Sequence, residues 1–355
     1  MKPKRKIISL ALLLLTALLY IVSLLCSFSG YFSPEQGAAW MLLGLATPAV
    51  LALDAAVLAA WLAARRWLAA LLPLAALIAN AGYIRAMVRL PRSSPIVVQP
   101  ELRVATLNCY GFNLRGDVAA TARDVARIAG RERVDILCLQ EFGESPDFPA
   151  DSIAALLARS GLAYWVREGE SAVASRYPIA ERQHFLFPGS ENGGLRADIR
   201  IGQHTLRIYS VHLQTSGLHR LRREHLAAHG GRPPLNEAVG VLTRNGALRA
   251  GQTDWLRAQI DRSPYPVVVA GDFNETPASY VYRQLQQGLV DGFREAGSGY
   301  AGTFELLGVS LRIDFILYDR AMEATSYRTL RDRVSDHRMV VTALRRHPAR
   351  GQDAR

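Results

Sequence analysis

Residues Val267 to Pro277 read VVVAGDFNETP, and the fold class is decided by these positions and by what repeats around them. Three β-branched residues in a row, bounded by Pro266 and Gly271, describe a short strand buried on both faces. Thr276 and Pro277 match an N-cap followed by the proline allowed at the first helical position, and Gly288 supplies the stop, so a helix is expected between them. Asp272 and Asn274 are then expected at a strand end beside a helix N-terminus, where partial positive charge favours anions such as phosphate. Taken by itself, a GDxN string reads equally well as an Asx-rich turn.

Outward from this stretch the same unit recurs. Strands are expected at Arg103–Asn108, Asp135–Gln140, Ala172–Arg176, Ala197–Ile201, Leu206–Leu213, Ile313–Tyr318 and Met339–Leu344, and amphipathic helices at Asp117–Arg133 and Ser152–Arg159. Strands outnumber helices and the links are short, which suits two packed sheets with helices outside better than one parallel sheet. Leu218–Pro234 carries Arg220, Arg222, Arg223, His225, His229 and Arg232 between two strands; it reads as a solvated insertion, or as an anion- or membrane-facing loop.

The 355 residues are half apolar, enough for a large core and an accessory region. The formal charge of +11 is unevenly placed, because residues 1–100 hold nine Lys or Arg against Glu35 and Asp54. The rest of the chain is only mildly basic, so the total says little about polyanion binding. Cys26, Cys109 and Cys138 are scattered without CxxC pairing, which argues against a disulfide framework or a thiolate zinc site. Ile7–Leu25 is an uncharged apolar run behind Lys2, Lys4, Arg5 and Lys6, and two more apolar runs follow at once, so a cleaved leader fits poorly. About three transmembrane helices are expected, near 7–25, 38–64 and 67–84, inside a membrane region 1–88; residues 89–100, with Pro91, Pro95 and Pro100, form a linker, 101–345 a soluble domain and 346–355 a tail. The N-terminal basic cluster and Arg65–Arg66 place those points in the cytoplasm, and an odd number of spans places the soluble domain outside it, as part of a multi-pass protein of the cell membrane. Arg85, Arg89 and Arg92 pull the other way. Asp54 falls mid-span and is given no role.

Six polar residues or pairs stand at the ends of the expected strands: Asn108, Glu141, His212, Asp272 with Asn274, Asp314, and Asp336 with His337. One such residue is usually a turn former. A whole series of carboxylates, carboxamides and imidazoles is the hard-ligand and acid-base set of a Mg²⁺-dependent phosphoryl site.

The ordered set TLNCYGFN, LQE, SRYPI, VHLQT, GDFNETP, RIDFIL and SDHRMVV resembles the endonuclease/exonuclease/phosphatase superfamily, which includes deoxyribonuclease I, exonuclease III, sphingomyelinases and inositol polyphosphate 5-phosphatases. The resemblance covers about Arg103 to Leu344 and extends to a bacterial membrane-anchored branch through SPYPVVVAGDFNETPASYVY, GSGY and RIDFIL. It implies a four-layer α/β/β/α sandwich of the deoxyribonuclease I type behind the transmembrane helices, and a phosphoric ester hydrolase dependent on Mg²⁺ or Mn²⁺. It makes Glu141 the main metal ligand with Asn108 and Asp336 near the ion, Asp272 the group that orients or deprotonates the attacking water, and Asn274 the holder of a non-bridging phosphate oxygen. His337, oriented by Asp314, and His212 would stabilise charge developing on phosphorus. Thr303 and Phe304 are candidate contacts to the leaving group, and Ser175 and Arg176 read as structural. The substrate is expected to be a phosphate ester: a phospholipid, a nucleic acid or a small phosphodiester. A nuclease would use the same residues. A membrane-tethered, non-catalytic phosphate-binding module would show a lost Glu141, Asp272 or His337, and all three are present. No protein partner is expected.

Overall fold

A computed structural model describes residues 2–90, 102–190, 192–306 and 308–347; most of the expected linker, Pro91 to Pro100, and the tail beyond His347 lie outside these described residues. The chain forms two compact units. One gathers the N-terminal helices up to Ala86 together with Glu275–Arg283; the other holds the remainder.

In the first unit the helices run Lys2–Phe28, Ala38–Ala63, Trp67–Ala79 and Ala81–Met87. Two stretches, Ser9–Tyr31 and Ala38–Ala63, are long and apolar enough to cross a membrane. The expected third span is instead a pair of helices bent by 62°, so the number of spans is two, or three if the pair counts as one. Asn80 sits at the bend, buried, and its carboxamide donates to the carbonyls of Ala76 and Ser23, both at 3.0 Å. Those bonds satisfy backbone that the break would leave bare in an apolar setting. Asp54 is fully buried and accepts from the Ser23 hydroxyl.

The second unit contains two six-stranded sheets. In one, the strands lie in the order Met322–Thr329, Val340–Arg346, Leu102–Asn108, Ile136–Gln140, Ser171–Ser175 and Tyr164–Glu168. In the other the order is Leu289–Asp291, Asp314–Asp319, Val267–Asp272, His204–His212, Gly193–Ile201 and Ile179–Leu186. Val104, Ile136, Cys138, Ala197, Ile208, Val268, Ala270 and Ile316 make the core between the sheets, as expected of strands that are apolar on both faces. The opposite face of the first sheet packs under helices Val118–Arg131 and Ile153 and Leu157 of Ala150–Arg159. The four-layer α/β/β/α sandwich is therefore present. A second link between the sheets is polar: Thr106 donates to Gln140 Oε1 at 3.1 Å, and Gln140 donates to Ser210 Oγ at 3.0 Å, all three fully buried.

Two local expectations are corrected. The helix expected from Thr276 and Pro277 starts later, at Tyr280. Thr276 Oγ1 accepts from Ala278 N–H in a turn, and it is Ser279 Oγ that accepts from Tyr282 N–H as a cap would. Asp272 thus ends a strand, and the next helix begins only at Tyr280, beyond Asn274. The basic segment is no loop either: Leu218–His229 is a helix, Gly230 in left-handed geometry ends it, and a 27-residue helix Leu235–Asp261 follows. The long helix escapes apolar periodicity because its buried face carries Asn245, Arg249, Gln252 and Thr253 beside Leu256 and Ile260. His225 and His229 stand four apart on this helix, an HxxxH spacing, and their rings lie 4.4 Å apart.

Candidate active site

Strand register assembles most of the site. Asp272 pairs with His212 across a parallel ladder and with Asp314 across an antiparallel one, so the three side chains stand in one row over the second sheet. The strand carrying Asp272 approaches its neighbour so closely that a Cβ on Gly271, at φ +153°, would lie 2.0 Å from the Val211 carbonyl oxygen. Only glycine fits there. In the first sheet Asn108 and Gln140 are parallel partners, which sets Asn108 beside Glu141.

The carboxamide of Asn108 joins the two rows: it donates to Glu141 Oε1 at 2.8 Å and to Asp272 Oδ2 at 3.1 Å. Its own oxygen accepts from Tyr110 N–H at 3.2 Å, so the amide, not the oxygen, is turned toward the carboxylates. Asp272 is 1% exposed, and its Oδ1 accepts from Asn274 N–H at 2.8 Å. Nε2 of His337 and of His212 lie 3.7 and 3.9 Å from Asp272 Oδ2. His212 Nε2 is also 3.6 Å from Glu141 Oε1 and has no hydrogen-bond partner of its own, which leaves it aimed at whatever occupies the space between the carboxylates. Asn274 donates through its side chain to the Leu213 carbonyl at 3.1 Å.

His337 Nδ1 is 2.9 Å from Asp314 Oδ2, and Asp314 is fully buried. Arg312, two residues ahead of Asp314, is engaged elsewhere: its fully buried guanidinium donates to Asp291 at 2.8 and 2.5 Å. Burial opposes charge on the His337 ring, yet the carboxylates of Asp314 and Asp272 outweigh it and push its pKa up to about 10. Burial raises Asp272 above the ordinary carboxylate value, against the pull of His337 and His212. Asp272, Asp314 and His337 are close enough together to suggest an ion site, but Nδ1 of His337 is already hydrogen-bonded to Asp314. The group reads better as a charged imidazole held between two carboxylates.

Glu141 is the acid that opens outward. Its side chain is 32% exposed and lines a cleft of about 420 Å³ with Gly111, Phe142, Gly143, Glu170, Asn192, His212 and Thr215. An accessible carboxylate beside amide and imidazole groups, with no thiolate near, suits a hard divalent cation. Asp336 is exposed; Ser335 Oγ lies 3.1 Å from its Oδ1 and 2.7 Å from the Asn108 carbonyl oxygen. It borders the cleft-forming strand end and is not tied to Glu141. Glu141 and Asn274 both have positive φ, +48° and +53°, among six such non-glycine residues in the described chain. Strain of this kind persists where surrounding contacts fix it.

The supporting residues were harder to foresee. Thr303 is buried and its Oγ1 accepts from Ile313 and Asp314 N–H at 3.1 and 3.2 Å, which ties it to the start of the strand carrying Asp314. Phe304 packs on the His337 ring at 4.8 Å. Asn192 Nδ2 lies 3.5 Å from His212 Nδ1. From the long helix, Gln252 accepts from Gln214 N–H at 2.8 Å, Arg249 donates to the Gln214 carbonyl at 2.9 Å and Asn245 to that of Ser216 at 3.0 Å. Together they clamp the chain that leaves His212. Ser175 and Arg176 are structural as read, capping Tyr177 N–H and pairing with Asp135 at 3.0 Å.

No curated protein sequence matches the chain. Among solved structures, an endonuclease/exonuclease/phosphatase from Beutenbergia cavernae DSM 12333 is similar at 21% identity and TM-score 0.52, over 70% of this chain and 72% of that one. D. rerio TDP2, humanized by 14 mutations, is similar at 16% identity and TM-score 0.51, over 69% of this chain and 98% of that one. At such identities the likeness speaks for the fold. Residues 5–87 match the profile of a domain of unknown function. Residues 105–337 match the profile of the endonuclease/exonuclease/phosphatase family, a span that takes in every strand-end residue described above, and the chain belongs to that family.

Proposed function

We propose that the protein is a membrane-anchored, Mg²⁺- or Mn²⁺-dependent phosphoric ester hydrolase that drives water onto phosphorus. The observation that carries this reading is the junction of two charge states at one point: the buried Asp272, flanked by protonated His337 and by Asn108, next to the open carboxylate of Glu141. Glu141 would hold the cation, Asn108 would orient both carboxylates, and Asp336 stands at the margin. A bound divalent cation would neutralise charge on the phosphoryl oxygens. Asp272 orients the attacking water and accepts its proton, a role suited to a carboxylate whose pKa burial has raised. Asn274 holds a non-bridging oxygen. His337, fixed by Asp314, and His212 donate to the oxygens on which charge grows.

Two apolar helices keep this site on a membrane-bound chain, which favours a phospholipid or another membrane-borne phosphate ester as substrate. Orientation follows the basic residues of the sequence and places the catalytic domain outside the cytoplasm. Arg222 and Arg223 of helix Leu218–His229, beside Arg220 that pairs with Glu224, support the second reading, a nuclease, since guanidinium groups suit a phosphate backbone. The test is hydrolysis of an aryl phosphodiester, a phospholipid and DNA by the detergent-solubilised full chain, with Mg²⁺, with Mn²⁺ and with chelator. Chelator-sensitive turnover is expected, and wild-type protein inert on every ester under all metal conditions would end the enzyme reading.

A further inference from the structure

Helix Leu218–His229 belongs to the catalytic unit and has no buried residue of its own. Leu218, Leu221 and His225, at steps of three and four, are half-buried and form its inner stripe, where His225 Nε2 lies 3.8 Å from Glu237 of the long helix. The rest faces outward: His219, Arg220, Arg222, Arg223, Leu226 and Ala227 are all exposed. Arg220 pairs with Glu224, and among the described residues neither Arg222 nor Arg223 has a carboxylate partner. Leu226 is 58% exposed, and Leu235, beyond the turn that carries Arg232, is 79% exposed.

Guanidinium groups alone suit any phosphate-bearing surface, and the leucines narrow the choice. A nucleic-acid backbone gives an exposed leucine nothing to bury against, whereas the boundary between lipid headgroups and acyl chains accommodates arginine and leucine side by side. A single exposed leucine is ordinary on a protein surface. Here two stand among four arginines and one glutamate, on a chain that brings its own bilayer through Ser9–Tyr31 and Ala38–Ala63. We propose that Leu218–His229 and the turn to Leu235 dock on an anionic bilayer surface, with Arg222, Arg223 and Arg232 meeting lipid phosphates and Leu226 and Leu235 entering the headgroup region. The inference rests on the reading of the chain as membrane-bound and adds a second, reversible contact to the apolar helices. Its consequence for the site follows from the path of the chain. Thr215 lines the cleft with Glu141 and His212, and the helix starts three residues further on, just after a Gly217 so close to the long helix that a Cβ there would stand 2.5 Å from Asn245 Nδ2. A docked helix therefore brings the cleft close to the headgroups, where a lipid phosphate ester is the substrate within reach.

The experiment uses the full chain in lipid nanodiscs, with Ala227→Cys labelled by the polarity-sensitive fluorophore NBD; Cys26, Cys109 and Cys138 are buried, so the label goes to the exposed position 227. In discs of phosphatidylcholine mixed with phosphatidylglycerol the emission should shift to the blue and be quenched by doxyl-labelled acyl chains. In pure phosphatidylcholine, or at high salt, both effects should fade because the attraction is lost or screened. Each arginine near an anionic surface contributes about fivefold in partitioning, so Arg222→Gln combined with Arg223→Gln should weaken docking by about 10-fold to 30-fold. Leu226→Ser should weaken it further while leaving the salt dependence in place. Emission that stays water-like and unquenched in anionic discs, or docking that survives the loss of Arg222 and Arg223, overturns the inference. So does a blue shift produced by an added DNA oligonucleotide and not by anionic lipid, which would give the helix to nucleic acid. A chain that does not enter the discs would end the membrane-bound reading by itself, and the same label on added phosphatidylglycerol vesicles then decides the helix separately. None of these readouts uses turnover, so failure of the hydrolase reading leaves them intact.

Discussion

Exchanging Asp272 for Asn separates the carboxylate proposed to act on water from the groups that surround it. Oδ1 of Asp272 takes the Asn274 N–H at 2.8 Å and Oδ2 takes the Asn108 amide at 3.1 Å, in a site 1% exposed. An Asn at this position keeps the first bond by turning its oxygen to Asn274, and that choice sets its own NH₂ against the NH₂ of Asn108. One buried hydrogen bond is replaced by two opposed donors, which costs about 1–3 kcal/mol of stability. The loss in turnover should be larger, on the order of 10²-fold to 10⁴-fold for a missing general base, or about 3–5 kcal/mol on the barrier. Added metal should not restore it. Glu141→Gln supplies the contrast: its side chain is 32% exposed and accepts from the Asn108 amide, so the fold should barely notice, metal affinity should drop, and excess Mn²⁺ should recover part of the rate. The assay is aryl phosphodiester hydrolysis across a Mn²⁺ titration, with thermal unfolding as the folding control. Asp272→Asn within threefold of wild type, or rescued by Mn²⁺ like Glu141→Gln, would refute the role given to Asp272.

The other expectations are briefer. His337 carries a folded pKa of about 10 against an ordinary 6.5, so its contribution to stability is complete below pH 6.5 and is lost as pH rises through 10; Asp314→Asn should bring the alkaline limb of the kcat/KM profile down toward neutrality, and an unmoved limb would detach His337 from the rate. Asp291→Ala strips a fully buried guanidinium of its carboxylate and should cost about 3–5 kcal/mol in denaturant unfolding, a magnitude that a stable, active variant would contradict. On a lipid reading, DNA binding by the chain should show a salt slope near zero; a steep slope that flattens when Arg220, Arg222 and Arg223 are replaced together would move the substrate to nucleic acid. A reporter active only outside the cytoplasm, fused after Arg355, should be active, and activity from a cytoplasm-only reporter would reverse the orientation.

Strand interiors were legible because both faces of each sheet are covered, so Val267, Val268 and Val269 announce themselves without any alternation to decode. The long helix Leu235–Asp261 was not, because its inner face is chosen for hydrogen bonds to Gln214 and Ser216 and not for oil. The misplaced helix start at Thr276 has a related cause. Local chemistry favoured a cap at Thr276, but the residues after it are committed to Ser29 and Gly30, some 249 positions away along the chain for the Ser29 bond. No window of sequence contains that contact.

What makes the site readable at all is topology. Each sheet has one parallel pair at its centre, Leu102–Asn108 with Ile136–Gln140 and His204–His212 with Val267–Asp272, and a parallel pair necessarily ends on one side. Asn108, Glu141, His212 and Asp272 are therefore neighbours for the same reason that each closes its motif. Asp314 begins its strand and still joins them, because its ladder with Val267–Asp272 is antiparallel and pairs its first residue with the last of the other. His337 enters just ahead of Val340–Arg346, whose antiparallel pairing with Leu102–Asn108 likewise starts at the Asn108 end. Strand direction thus dictates whether the functional residue stands last, as in VHLQT and GDFNETP, or first, as in RIDFIL and SDHRMVV. A polar residue at the wrong end of any of these strands would face the far edge of the sandwich, so the direction of each strand, together with its closing or opening residue, already carries the geometry of the site.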